Sequence, residues 1–417
     1  MPDPSPSPGR GLAAGTRPDR WRRVAAGLSD RGLAAAVLVG HRATAHLAGF
    51  WGFRWNLHAV VVPAGKGGSG GGSPDAVLVV PREELKAGQS ALAQASLLVA
   101  GRHPSLGLAT YNSGGLSGSA DPVRELARAI LDMGVTGAAG GAARSHPIRL
   151  GMNGRHFPAA LAASLRREGL PGAEFEDVDP MLQAVRAVKD PDELAKLARA
   201  AAVTLRAQKA VERSVAPGLT ELEAELAARG SAFREAGEAT DFYADMLSGP
   251  NASFVGGPAL GAGNRALEEG DYLLSDLCVR LSGYWGDTTR TLLCGGDAAA
   301  LCRWREDLAV LEESRQVALR LLKPGVRCSE IDRAVREFVS RRRPSASLPH
   351  FTGHGVGVDI GEDPWFWPWN DQRLEEGMVF TIEHGFYEAG RYGLRLEDMY
   401  FLGPAGAGPL PAGPEVS

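Results

Sequence analysis

Leu274-Ser-Asp276-Leu-Cys-Val-Arg-Leu-Ser-Gly-Tyr-Trp-Gly-Asp287-Thr-Thr-Arg290 is the stretch on which the reading of this chain turns. Apolar and β-branched residues flank the turn pair Ser282-Gly283, which predicts a β-hairpin. Asp276 and Asp287 are equidistant from a point between Leu281 and Ser282, and a two- or four-residue turn centred there would pair them. They are therefore expected to oppose each other across the ladder, with Cβ atoms about 4.5–5.5 Å apart. Two carboxylates that close repel unless a cation lies between them, and paired ions about 3.5–4 Å apart fit that spacing. Two solvated acids on an exposed hairpin face would give the same pattern, so the hairpin alone leaves both readings open.

Two further stretches lie downstream. In Pro349-His350-Phe-Thr-Gly353-His354-Gly355-Val-Gly357, glycines on both sides of His354 remove bulk and let backbone or ligand approach. Neutral imidazole is a common metal ligand, although a lone histidine also serves as a structural group. In Gly377-Met-Val-Phe-Thr-Ile-Glu383-His-Gly-Phe-Tyr387 and Gly393-Leu-Arg395-Leu-Glu397-Asp398, each glutamate stands among strand-forming residues. A carboxylate facing a core without a partner is costly. Residues 388–393 supply turn material, so a second hairpin with Glu383 and Glu397 on one face is expected; two surface acids are the alternative. Taken together, four carboxylates and one imidazole suit two divalent cations, whose four positive charges offset four negative ones.

Composition narrows the rest. The chain has 417 residues, 44% of them hydrophobic, enough for one large domain or two ordinary ones. A net charge of -4 argues against nucleic-acid binding. Cys278, Cys294, Cys302 and Cys328 form no CxxC pair, so neither a disulfide framework nor a thiolate zinc site is expected, and reduced thiols in a cytoplasmic protein are the simpler reading. No apolar run reaches the roughly 18 residues of a membrane span, and the Pro/Ser-rich start lacks a signal-peptide core.

Residues 1–17 read as a disordered tail. A helix from Trp21 leads into the strand Ala34–Gly40, and further strands fall at 58–63 and 75–81, around the Gly/Ser loop 65–73. An α/β domain is expected over 18–178. Residues 180–212 carry Leu194, Leu197, Ala201 and Leu205 at helical spacing, with a helix start at Lys189-Asp-Pro-Asp-Glu193. The second half contains an echo: Pro217-Gly-Leu-Thr220 and Pro324-Gly-Val-Arg327 each lead into a helix, with Thr220/Glu223 and Ser329/Asp332 as candidate caps. That hints at an α+β domain with internal pseudo-symmetry over 179–405, followed by a flexible tail over 406–417.

The quoted motifs, with Glu362-Asp-Pro364, resemble the M24 metallopeptidase family of creatinase, prolidase, aminopeptidase P and methionine aminopeptidase. Arg22–Phe50 is similar to that family's N-terminal creatinase-type domain, and Arg186–Glu193 to its interdomain signature. The resemblance implies an α/β N-terminal domain, a C-terminal pita-bread domain and a homodimer. It also implies an Xaa-Pro aminopeptidase or dipeptidase-like hydrolase acting on a peptide or small amide. Two divalent ions are implied, Mn²⁺ foremost with Co²⁺, Zn²⁺ or Fe²⁺ as alternatives. Asp276 would bind one ion, His354 and Glu383 the other, and Asp287 and Glu397 both. A hydroxide held between the metals would attack the scissile carbonyl, Glu383 would accept its proton, and His350 and Arg395 would lie on the substrate side.

Departures from the family pattern accompany the match. Gly256 and Gly361 stand where the family commonly has substrate-contacting histidines, and His384 stands where prolidases usually have proline. Trp365-Phe-Trp-Pro-Trp369 either walls a substrate pocket or packs as an aromatic cluster. A relative specialised for a non-peptide small molecule and a binding module without catalysis are the alternative functions.

Overall fold

The computed structural model describes residues 20–48, 58–64, 76–81, 106–111, 122–133, 135, 147–255 and 262–410. The 1–17 tail, the 65–73 loop, Gly256 and residues 411–417 lie outside the described residues.

The first half is built on one six-stranded sheet. Its strands are β1 (Ala35–Val39), β2 (Ala59–Pro63), β3 (Ala76–Pro81), β4 (Leu106–Tyr111), β5 (Arg149–Met152) and β6 (Glu174–Asp177), in the order β4-β3-β2-β1-β5-β6. Strand β1 is apolar at every position because both its faces are covered. Ala36 and Leu38 pack with α1 (Arg20–Asp30), α2 (His41–Ala48) and Met181, Leu182 and Val185. Ala35, Val37 and Val39 pack on the opposite face with α3 (Pro122–Asp132) and α4 (Ala159–Glu168).

The helical spacing over 180–212 resolves into two helices, α5 (Asp179–Ala187) and α6 (Pro191–Ser214). Pro191 opens the second one, and the residue before a proline is held extended. Leu205 is exposed rather than part of the buried stripe. Between the helices, Val188 bridges to Met378, and the Lys189 ammonium donates to Glu362 at 2.7 Å. The segment thus ties the first sheet to the last third of the chain.

The second half contains two similar units. The first has α6, α7 (Glu221–Ala236) and a sheet of β7 (Phe242–Ser248), β8 (Asp271–Leu281) and β9 (Tyr284–Cys294). The second has α8 (Ala298–Leu321) and α9 (Cys328–Arg342). Its strands are β10 (His354–Gly355), β11 (Glu362–Trp365), β12 (Val379–Ile382), β15 (Asp398–Gly403) and β16 (Gly406–Pro409) in one sheet, with β13 (Gly385–Glu388) and β14 (Tyr392–Arg395) as a separate ladder. Strand β16 pairs with β15, so the tail expected from residue 406 is ordered sheet as far as Pro409.

The echo between these units is a repeat at a spacing of 107 positions. Gly218 N–H donates to Leu267 O and Gly325 N–H to Leu374 O; Glu221 pairs with Arg265 and Cys328 with Gln372; Leu222 pairs with Gly263 and Ser329 with Asn370. The bridges Thr220–Ala266 and Arg327–Arg373 complete the correspondence. Gly218 and Gly325 share a left-handed backbone, with φ of 89° and 90°, which glycine adopts without steric penalty. Only the first helix start is capped as expected: Thr220 accepts from the Glu223 amide, and Glu223 reaches back to Thr220. In the second, Arg327 holds the cap position and Ser329 lies inside the helix, where its hydroxyl donates to Asp371.

Candidate metal centre

The hairpin forms, but its register corrects the expected facing of the aspartates. Ser282 and Gly283 make a two-residue turn with φ of 52° and 84°, the signature of type I′. Leu281 then pairs with Tyr284, which puts Asp276 opposite Thr289 and Asp287 opposite Cys278. The two aspartates are diagonal neighbours on one face rather than a directly opposed pair. The second hairpin is interrupted. Ile382 pairs with Asp398 and Gly385 with Arg395, so Glu383 and Glu397 face each other in the gap between two short ladders.

These segments converge. His354 Nε2 lies 2.9 Å from Glu383 Oε1 and 3.7 Å from Asp287 Oδ2. Donor atoms of Asp287, His354 and Glu397 lie within 4.8 Å of one another, as do those of Asp276, Cys278 and Asp287. His354 Nδ1 donates to Gly355 O at 3.0 Å, which fixes the ring and leaves Nε2 toward the carboxylates. Side chains at Gly353 and Gly355 would run into the backbone of Thr381 and Asp363, so these glycines are needed for the close chain approach that seats His354.

The backbone of the gap is satisfied partly across the two units and partly within the second. Glu397 N–H donates to Thr289 O, and Glu383 N–H to Thr352 O. Thr289 Oγ1 donates to Glu397 Oε2 at 2.8 Å, and Arg290 donates to both Glu397 O and the Asp398 carboxylate at 2.6 Å.

Four buried acids crowd one place, and their proton affinities show it. Burial, together with the neighbouring acids, pushes Asp276 and Glu397 well above the usual carboxylate range. Burial raises Asp287 to about 6, against the pull of His354. Burial would raise Glu383 too, but the adjacent His354 imidazolium holds it below its ordinary value. Burial opposes charge on His354, yet Glu383 and Asp287 lift it to about 9. Asp276 Oδ1 is buried and has no hydrogen-bond partner. A cluster of four buried carboxylates, three of them raised, an imidazole whose Nε2 points at them and an orphaned oxygen fit divalent cations.

The other expected residues fall nearby. Arg395 donates to Asp276 Oδ2 at 2.8 Å and lies 3.5 Å from Asp245. His350 is buried and engaged at both nitrogens: Nδ1 donates to Phe351 O, and Nε2 accepts from the Tyr387 hydroxyl at 2.9 Å. His384 turns away from the cluster, donating through Nε2 to Leu311 O on α8. A Cβ at Gly361 would lie 2.5 Å from the Trp365 ring, which packs with its centroid 5.2 Å from that of His354. The aromatic run divides: Phe366 is core, Trp365 and Trp367 flank Phe351, and Trp369 is exposed and stacked on Trp367.

Three residues of this site escaped the sequence reading. Asp245 on β7 lies directly opposite Asp276; an acid inside an apolar strand was its signal. Cys278 is buried with Sγ 3.2 Å from Asp287 Oδ1. The search for paired cysteines passed over it, although it stands two residues from Asp276 and hence on the same strand face. Thr289 was identified only as part of the hairpin, with no role.

Known proteins resemble this chain in two ways. Over 229 residues it is 31% identical to the probable dipeptidase PepE of Mycobacterium tuberculosis, a match covering 54% of this chain and 59% of that protein. It is 30% identical over 239 residues to the Xaa-Pro dipeptidase of Lactobacillus helveticus, covering 56% and 62%. The matched part thus spans about three-fifths of these relatives' length. Among solved structures, the prolidase of Pyrococcus horikoshii superposes with a TM-score of 0.74 over 94% of this chain and 97% of that one, at 19% identity. The dipeptidase PepE of Mycobacterium ulcerans superposes with a TM-score of 0.68 over 93% of each chain, at 26% identity. The fold is therefore the pita-bread fold with its N-terminal domain. Residues 195–404, half of the chain, match the profile of metallopeptidase family M24 and contain all five converging acids and imidazole, and the chain belongs to that family.

Proposed function

We propose that this chain is a dinuclear metal-dependent hydrolase of amide bonds, of the Xaa-Pro dipeptidase or aminopeptidase kind. The observation that carries the reading is the convergence of Asp276, Asp287, His354, Glu383 and Glu397, drawn from separate segments, on one buried cluster. In this reading Asp276 would hold one ion, His354 and Glu383 the other, and Asp287 and Glu397 would serve both. Bound there, the ions would supply Lewis acidity and an activated water at neutral pH.

The chain's own groups do the rest. The Gly355 carbonyl holds the His354 ring in the tautomer whose Nε2 faces the acids. Glu383, kept ionised beside His354, is the proton acceptor. Arg395 orients Asp276 and partly offsets the concentration of negative charge. His350, held by the Tyr387 hydroxyl and the Phe351 carbonyl, stands on the substrate side in this reading. The oxygen-rich donor set supports manganese, the free thiols of the described cysteines support a cytoplasmic setting, and the family resemblance supports a homodimer.

One observation favours a second reading, a relative specialised for a non-peptide small molecule. The Trp365 ring fills the space a side chain at 361 would need, so the pocket beside an intact acid set is rebuilt. Metal quantification of the purified protein, followed by an Xaa-Pro peptide panel with added Mn²⁺, tests both. The proposal expects about two ions per chain and cleavage of Xaa-Pro bonds. Two ions without peptide cleavage would favour the second reading, and a chain that takes up no metal would overturn both.

A further inference from the structure

We propose that Cys278 is a sulfur ligand of this metal centre, an inference that rests on the metal-centre reading above. Cys278 lies on β8 directly opposite Asp287, on the face that carries Asp276. It is 2% exposed, and its sulfur shares a 4.8 Å neighbourhood with oxygens of both aspartates. An independent feature of the same pocket points to a ligand: Asp276 Oδ1 is buried there without a partner. The thiol donates to Asp287 Oδ1 at 3.2 Å, which turns the sulfur toward the acids of the cluster.

The repeat shows what the sulfur adds. Displacing Cys278 by 107 positions gives Gly385, which pairs with Arg395 and has no side chain to offer. The Glu383 side of the cluster therefore holds oxygen and imidazole donors only, and the Asp276 side holds oxygen and sulfur. Thiolate selects borderline, thiophilic ions such as Zn²⁺, Co²⁺ or Fe²⁺ over Mn²⁺. The two positions are thus unequal, with the ion between Asp276 and Asp287 the more thiophilic. On ligation the S–H bond is replaced by a sulfur–metal bond, and the proton leaves to solvent.

The test is spectroscopic. The full chain is stripped of metal and titrated with Co²⁺, alongside Cys278→Ser and Cys278→Ala. The wild type should develop an intense near-ultraviolet sulfur-to-cobalt band that both variants lack. In the Zn²⁺-loaded wild type, X-ray absorption should detect one sulfur at about 2.3 Å. Cys278→Ala should lose about 10- to 100-fold in Zn²⁺ affinity while Mn²⁺ affinity changes far less, and the isosteric serine variant guards against a packing defect. A wild type that binds cobalt without the band, or an alanine variant that keeps the Zn²⁺-to-Mn²⁺ preference, would overturn the sulfur ligand and leave the metal centre standing. A chain that binds no cobalt would overturn both.

Discussion

The two units of the second half meet the same demand, two acids delivered to a shared point, in different ways. The first uses an unbroken ladder of eleven residue pairs and the short side chains of Asp276 and Asp287, placed diagonally. The second interrupts its ladder between Ile382 and Gly385 and lets the longer Glu383 and Glu397 meet face to face. Ladder against ladder, with the first strands offset by 107 positions and the second by 108, Glu383 answers to Asp276, but Glu397 answers to Thr289 and Arg395 to Asp287. The duplicated frame is kept while its second ligand moves by two pairs. The units also differ in titratable groups. All three imidazoles after residue 156 belong to the glutamate unit, and the aspartate unit has none.

The most severe challenge to this picture is Asp287→Ala. Asp287 faces both the Cys278 side and the His354 side, so its loss should strip the centre of metal and lower metal-dependent turnover by more than about 100-fold. Turnover within twofold of wild type, at equal metal content, would dissolve the idea of a shared centre.

Acid stability probes the glutamate unit. Burial holds His350 and His384 down to about 4. Their folded pKa lies below the unfolded value near 6.5, so each favours unfolding as pH falls from 6.5 to 4, by about 3 kcal/mol at the end of that window. His354, raised to about 9, has the opposite sign: its contribution is complete below 6.5 and is lost as pH climbs through 9. Because the raised Asp276 and Glu397 also gain protons on acidification, the clean measurement is a difference. Urea melts of metal-free His384→Gln should show about 3 kcal/mol less acid destabilisation than wild type, and matching slopes would contradict the buried neutral imidazole.

Thr289→Val tests the cross-unit hydroxyl. Loss of its 2.8 Å bond to Glu397 should weaken metal binding about 10- to 100-fold with little effect on the fold. Calorimetric titration would detect it, and an unchanged affinity would reduce Thr289 to a packing residue. The smallest expected effect is Gly361→Ala, where the added methyl must displace the Trp365 ring. A loss of about 1–3 kcal/mol in thermal unfolding is expected, whereas unchanged stability would mean the ring moves freely.

Side-chain identity and spacing carried the sequence reading a long way. The flanking glycines of His354, the turn at Ser282-Gly283 and the acids embedded in apolar strands all pointed to residues that meet in space. The failures have specific causes. The relative facing of Asp276 and Asp287 depends on a one-pair choice of register, which the turn geometry decides and the symmetric spacing obscured. Ser329 carries the chemistry of a cap, but the helix takes Arg327 as its cap and so starts two residues too early for Ser329 to serve. Asp245 and Cys278 became visible only once a third strand and a paired register brought them beside Asp276. Long-range juxtaposition of that kind leaves no local periodicity to read.

The interruption at Glu397 bears on how the two units can move. Its amide is held by Thr289 of the other unit, its hydroxyl-bound carboxylate by the same residue, and its carbonyl by the Arg290 guanidinium. Two units stitched together at the cluster by one main-chain bond and two side-chain bonds cannot part there without dismantling the cluster itself.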